Sequence, residues 1–323
     1  PNPRALNVLE NGDWDLETLR ALSHPPGKLT VRPVIAVREI EPGDVHPGLD
    51  EVRDGFEPGH RRAHRGNDLR LAIHHTSIPA GMRFAGEYRF ALTEIRLGTS
   101  GWSYPEWRTS LYEGAPQRRW LARYSAVYDA VEANITYRRD LSAKAAATWI
   151  DETEDGFRFA IKAHQRATHF HRLKTPDDDI PLQVAQADLV GSKLGVVYFQ
   201  LPHNFLRDDV LLDAYLAAWP NRIPTVWEFL HTSWHEPEVY EVLRRHHAGW
   251  VISDAKNPAP EPTVTGPNAY VRLRAETYDP EHLLQWATLI RGIDSDRVWV
   301  FVRHGTDAPR LAERLGDLVL DGP

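Results

Sequence analysis

Ile95–Tyr104 reads IRLGTSGWSY, and this stretch decides the fold. A short apolar run that suits a buried strand, Ile95-Arg96-Leu97, breaks into Gly98-Thr99-Ser100-Gly101, and aromatic residues follow. Small residues at the C-terminal end of a strand let backbone come close to backbone or ligand, and the Thr99 and Ser100 hydroxyls offer polar contacts. The same event recurs down the chain: a β-rich run ends in one or two polar or charged residues, and a helical pattern follows.

Strand-like runs lie at 95–99, 128–134, 157–163, 195–201, 224–230, 249–254, 269–274 and 298–303. They are nearly continuous in apolarity, as strands buried on both faces are. Helical patterns fill the intervals: 116–127, 143–152 after Ser142, 181–194, 208–219, 236–247, 280–291 after Asp279, and 309–320 after Asp307. Asp or Ser before such a run, and Pro in its first turn, are start signals. After the sixth strand there is a proline-rich loop, Asn257 to Thr263, in place of a helix. Eight strands alternating with helices, the sixth helix missing, over about 230 residues predict an α/β fold of the (β/α)₈ TIM-barrel type. A doubly wound sheet is disfavoured, because no G-x-G-x-x-G follows the first strand.

Residues 1–81 differ from the barrel region, 82–323. They are rich in Pro, Gly, Arg and His, with one helical fragment at Asp15–Leu22 and one strand-like run at Thr30–Ile40. So little apolar surface does not offset the entropy of ordering the segment, so an ill-ordered or small accessory N-terminal extension is expected. The net charge of −7 disfavours a nucleic-acid partner, which calls for a basic balance or stripe. No apolar run is long enough to span a bilayer, and the chain has no cysteine, so a soluble, cytoplasmic protein without disulfides or thiolate chemistry is expected.

In such a barrel the chemistry sits at the C-terminal ends of the strands, and alternate residues on a strand face inward. That rule nominates Thr99, with Ser100 and Trp102 in its loop, then Glu132 and Asn134, Lys162, Gln200, Glu228, Asp254, Arg272 and Arg274, and Arg303 or His304. One charge inside an apolar strand is explained by a structural ion pair. Several converging on one rim point to a functional site. Glu132 and Glu228 are candidates for a general acid–base pair, with Asp254 beside them. Lys162 is assigned a clamp or acid role, since neighbouring carboxylates oppose the lowered pKa that a Schiff-base amine needs. Arg272 and Arg274 suit a carboxylate or phosphate. Trp102, Tyr104 and Trp107 can stack a sugar or base, or cover the rim. His164, His169, His171, His231, His235 and His304 lie in the same loops and with the carboxylates would make an oxygen–nitrogen metal site. No pair has diagnostic spacing, so a divalent metal is not favoured and the cofactor is left open.

Taken together, GTSGWSY (98–104), VEANITYR (131–138), FRFAIKAHQRATH (157–169), YFQLP (198–202), WEFLHTSW (227–234), YVRLR (270–274) and VWVFVRH (298–304) resemble the YecE-like family. These are TIM-barrel proteins labelled a domain of unknown function. The resemblance covers about 95–318 and implies a (β/α)₈ barrel with Glu132, Asn134, Lys162, Gln200, Glu228 and Arg272 on motif positions at the rim. Leu230 stands where the family's strand-five Glu-Phe-Arg motif has arginine, and an aromatic residue between Thr136 and Tyr137 is missing. The family label implies no reaction. The residues themselves point to acid–base chemistry on a small polar, sugar-like or phosphorylated substrate. A metal-dependent phosphodiesterase and a non-catalytic ligand-binding barrel are the alternatives.

Overall fold

The structure is a computed structural model that describes residues 93–321, apart from 256, 257, 259, 260 and 304. The extension read over 1–81, and His304, lie outside the described residues.

Eight strands form one parallel sheet: β1 (Glu94–Thr99), β2 (Ala130–Ala133), β3 (Arg158–Lys162), β4 (Leu194–Leu201), β5 (Thr225–Phe229), β6 (Gly249–Ser253), β7 (Asn268–Leu273) and β8 (Arg297–Val302). Ladders run in the order β1-β8-β7-β6-β5-β4-β3-β2. The remaining edges, β1 and β2, meet through a parallel bridge at Ser100 and Glu132, with Gly101 N–H donating to the Glu132 carbonyl at 2.8 Å. This contact closes the barrel.

Among the described residues seven α-helices cover it: α1 (Trp120–Ser125), α2 (Ala143–Asp151), α3 (Pro176–Val190), α4 (Asp209–Ala218), α5 (Pro237–Arg245), α6 (Pro280–Arg291) and α7 (Ala308–Asp321). Ser142 and Asp279 cap α2 and α6 with their side-chain oxygens, as their positions predict, and Asp208, read as the first residue of its helix, caps α4 in the same way. Two expectations need correction. The first helix is shorter than 116–127, with a 3₁₀ turn at Gln117–Arg119 leading into α1. α3 begins at Pro176, before the expected 181, so Pro181 lies inside it. Pro176 takes the first helical position, where a missing N–H costs nothing, and Asp177, Asp178 and Asp179 complement the positive end of the helix. Between β6 and β7 there is no helix among the described residues.

The alternation of side chains builds two separate cores. Ala130, Ala160, Val196, Tyr198, Val226, Val251, Tyr270, Trp299 and Phe301 fill the barrel interior, while the larger set packs between sheet and helices. The small Ala130 and Ala160 on β2 and β3 leave room for the rings from β4, β7 and β8.

The β1–β2 seam shows why the opening stretch needs its glycine. A Cβ on Gly98 would lie 1.9 Å from the Ala130 carbonyl oxygen, so only glycine lets the strands approach this closely. Beside it the Tyr124 hydroxyl from α1 takes a place in the ladder. It accepts from Thr99 N–H at 2.7 Å and donates to the Ala130 carbonyl at 3.2 Å.

Candidate functional site

Inward positions at the C-terminal ends of β2, β3, β4, β5 and β7 converge on one buried network. Arg272 is its hub. Its Nη2 donates to Glu132 Oε1 and its Nη1 to Glu228 Oε2, each at 2.9 Å, and its Nε lies 2.8 Å from Glu132 Oε2. The guanidinium lies over the Tyr198 ring, 4.6 Å from its centroid, and also donates to that hydroxyl at 2.6 Å. Glu132, Glu228 and Arg272 are all buried.

Each carboxylate draws further donors. Glu132 accepts from Ser100 Oγ, Asn134 Nδ2 and Arg272 Nη2 at Oε1, each at 2.9 Å, and from the Tyr270 hydroxyl at Oε2, at 2.8 Å. Glu228 Oε2 accepts from the Tyr198 hydroxyl and from Gln200 Nε2. Glu228 Oε1 has no hydrogen-bond donor among the described residues; Arg274 Nη1 is 3.6 Å away.

Burial pushes both carboxyl groups toward protonation, but the cations prevail. Arg272 and Lys162 hold Glu132 below its ordinary range, and Arg272 and Arg274 bring Glu228 down to about 2. Burial also drives the Tyr198 and Tyr270 phenols well above their ordinary range, so both stay protonated and keep donating. This is an ionised, hydrogen-bonded frame.

Lys162 is held differently. Its Nζ donates to Gln200 Oε1 at 2.8 Å and faces two rings, Tyr137 at 4.6 Å and Tyr198 at 5.4 Å from the centroids. Among the described residues no carboxylate lies within ion-pair distance of it. Burial, reinforced by Arg272 and Arg274, outweighs the opposing pull of Glu132 and Glu228 and lowers its pKa to about 8. The carboxylates do favour the charged form, as expected, but burial and the two arginines outweigh them. Arg272 pairs with both carboxylates and offsets part of their charge.

Three nominated residues lie elsewhere. Thr99 does not face inward: its hydroxyl pairs with Tyr124 at 2.9 Å and the Gly101 carbonyl at 2.8 Å, beneath α1. The inward positions of β1 are Gly98 and Ser100. Trp102 packs away from the mouth, edge-on to Trp149 of α2 at 5.2 Å and against Phe159. Asp254 accepts from Arg274 N–H and the Tyr278 hydroxyl, so it braces the loop after β7 rather than joining Glu132 and Glu228. It falls just beyond the inward Ser253. Trp107 is fully buried and donates to the Gly305 carbonyl at 2.7 Å, which ties down the rim.

The histidines serve their own loops. His169 bonds Thr168 Oγ1 at 2.8 Å and stands edge-on to Tyr137 at 5.2 Å, placing it behind the ring that faces Lys162. Burial and the nearby Lys162 lower its pKa. His171 pairs with buried Asp179 at 2.9 Å, His231 with Ser233 at 2.8 Å, and His235 with the Phe229 carbonyl at 3.0 Å. Among the described residues no three His, Asp or Glu side chains gather as a metal site. Arg303 is exposed at the rim, with its guanidinium 3.4 Å from the Arg274 carbonyl.

Sequence reasoning missed Tyr198, Tyr270 and Tyr137. Tyr198 and Tyr270 stack 5.4 Å apart inside the barrel and donate to the two carboxylates. The signal was present: each precedes a nominated residue, Gln200 or Arg272, by two positions and so shares its face. Tyr137 sits on a 3₁₀ turn, Ile135–Tyr137, where alternation gives no guide.

Residues 96–321 match the family model described as "Protein of unknown function DUF72". The chain belongs to the DUF72 family. Curated relatives include UPF0759 protein YunF of Bacillus subtilis, 28% identical over 51% of this chain and 61% of that protein. UPF0759 protein YecE of Escherichia coli K12 is 26% identical over 42% of this chain and 43% of that one. The chain thus spans roughly half of the curated relatives it matches. Two DUF72 crystal structures share the fold. TM1631 of Thermotoga maritima has a TM-score of 0.59 at 25% identity, over 70% of this chain and 97% of that one. EF0366 of Enterococcus faecalis has 0.58 at 18%, over 71% and 98%. Among the described residues no helix is long and apolar enough to cross a membrane.

Proposed function

We propose that the mouth of this DUF72 barrel is an enzyme active site for acid–base chemistry on a small polar, sugar-like or phosphorylated molecule. Lys162 is the group that moves the proton. The observation that carries this reading is the contrast inside one network. Glu132 and Glu228 are ionised and clamped by Arg272, whereas Lys162 is hydrogen-bonded to Gln200 alone among the described residues and burial lowers its pKa to about 8. A general acid or base works best when its pKa lies near the working pH, so the carboxylates make a poor proton-transfer pair and a good electrostatic frame. Arg274, a third exposed at the rim beside Glu228, suits an anionic group of the substrate. A metal-dependent phosphodiesterase has less support, because three of the four oxygens of Glu132 and Glu228 already face Arg272 or hydroxyl donors.

The test is a panel of sugars and sugar phosphates screened by ligand-induced thermal stabilisation, followed by turnover of each binder. The expected result is turnover with a rate that depends on a group titrating near 8, and binding without turnover in Lys162→Met. Binding with no turnover by the wild type would make this a non-catalytic ligand-binding barrel. Equal turnover by Lys162→Met would remove Lys162 from the chemistry.

A further inference from the structure

We propose that Lys162 is an amine nucleophile and that the substrate of this site is an aldehyde or ketone carrying an acid group, bound covalently as an imine. This inference rests on the reading of Lys162 as the reactive group and names the substrate class. Its basis is geometric. Nζ lies at the end of β3 between the faces of Tyr137 and Tyr198, hydrogen-bonded to Gln200 alone among the described residues, with no carboxylate paired to it. The charged groups around it are Glu132, Glu228, Arg272 and Arg274 inside the mouth, with His169 behind Tyr137. Both carboxylates are paired to Arg272, which offsets part of their charge, and the amine is left desolvated, with Arg272 and Arg274 as cationic neighbours that outweigh the pull of Glu132 and Glu228. Those are the conditions under which a lysine becomes a nucleophile near neutral pH. The lowered pKa of about 8 agrees.

The step balances without an oxidant or metal. The neutral amine's lone pair attacks the carbonyl carbon, the C=O π pair moves to oxygen, and oxygen takes the proton released by nitrogen. The resulting carbinolamine loses its hydroxyl as water, with a proton drawn from solvent at the open rim, and leaves a cationic iminium. Hydrolysis reverses both steps. The iminium keeps its positive charge, and the ionised Glu132 and Glu228 are set to stabilise it. Arg274 and Arg303, from the ends of the adjoining strands β7 and β8, supply the cationic edge for the acid group. Loops after these two strands commonly hold phosphate in this fold.

The chain has six lysines, so the labelled site can be mapped cleanly. Lys144, exposed on α2, reports ordinary amine reactivity. Lys193 is the buried control: burial lowers its pKa too, but its Nζ is saturated by the Ile150, Thr153 and Glu154 carbonyls and the Thr153 hydroxyl. The full chain is incubated at pH 7.5 with glyoxylate or glyceraldehyde plus cyanoborohydride, and peptide masses are followed in time. The expected result is Lys162 labelled on the order of ten-fold faster than Lys144, since far more of it is neutral at this pH. The ratio should be higher for glyoxylate, which bears a carboxylate, than for glyceraldehyde. Lys193 should stay unlabelled. Labelling of Lys162 no faster than Lys144 would overturn the proposal.

A separate titration of isotopically labelled lysines by NMR, with Lys162→Arg for assignment, tells the two failures apart. Titration near 8 without imine trapping sinks the imine and leaves the proton-transfer reading standing. Titration near 10 sinks both.

Discussion

Replacing Arg272 by methionine removes the one cation among the described residues that touches both Glu132 and Glu228. Breaking a buried ion pair by deleting one partner costs about 3–5 kcal/mol, because the other charge stays behind without compensation. Glu228 gives an independent scale. Its shift from 4.5 in the unfolded chain to about 2 in the fold corresponds to roughly 3 kcal/mol for all its partners together, Arg272 being the largest of those that lower it. Arg272→Met is therefore expected to lose about 3–5 kcal/mol at pH 7, a large part of the roughly 5–15 kcal/mol that holds a domain together.

The pH dependence reveals the cause. In the wild type the folded carboxylates ionise below the unfolded value of 4.5, so their stabilisation is complete above that pH and is lost as pH falls toward about 2. Without Arg272, burial dominates and the folded carboxyl groups hold their protons more tightly than the unfolded ones. The variant then loses stability as pH rises through 4.5, and its deficit should shrink on going from pH 7 to pH 4. Urea unfolding followed by tryptophan fluorescence measures both. The triple variant Glu132→Gln, Glu228→Gln, Arg272→Met removes charge from every corner and should recover a good part of the loss. A deficit of less than about 1 kcal/mol at pH 7, or one that grows toward pH 4, would refute the account of Arg272 as the cation that compensates two buried charges.

Two further expectations follow from the same geometry. Lys162→Met should be more stable than the wild type at pH 7, because the fold disfavours the lysine's charge; stability limited this way rises between the folded value of about 8 and the unfolded 10.5, so the urea midpoints of the two proteins should converge by about pH 10.5. Gly98→Ala should lower stability by about 3 kcal/mol or more, since its Cβ meets the Ala130 carbonyl, while Gly156→Ala, with nothing within 4 Å of the added carbon, should unfold at nearly the wild-type urea concentration.

Much of this molecule is legible in its chain because the signals are local. Near-continuous apolar runs such as YFQL and VWVFV mark strands covered on both faces, and Ser142, Asp208 and Asp279 announce the helices that follow. Repeated around eight strands with one helix left out, that alternation leaves the barrel as its economical closure. The same parity rule points inward Glu132, Lys162, Gln200, Glu228 and Arg272, and the structure brings them together.

Where the rule failed, the chain had left the strand. Thr99 ends β1 at the one seam where a tyrosine hydroxyl replaces a ladder bond, and Trp102 and Asp254 follow after alternation has stopped. Electrical state was beyond the sequence for a different reason. Whether a lysine among carboxylates is held charged or released depends on which cation reaches those carboxylates first, over ångström distances and across four strands. The chain shows that Glu132, Glu228, Lys162 and Arg272 point inward. Only the fold decides that Arg272 takes both carboxylates and leaves Lys162 facing Tyr137 and Tyr198, because Coulomb energy and desolvation depend on separations that come into being when the barrel closes.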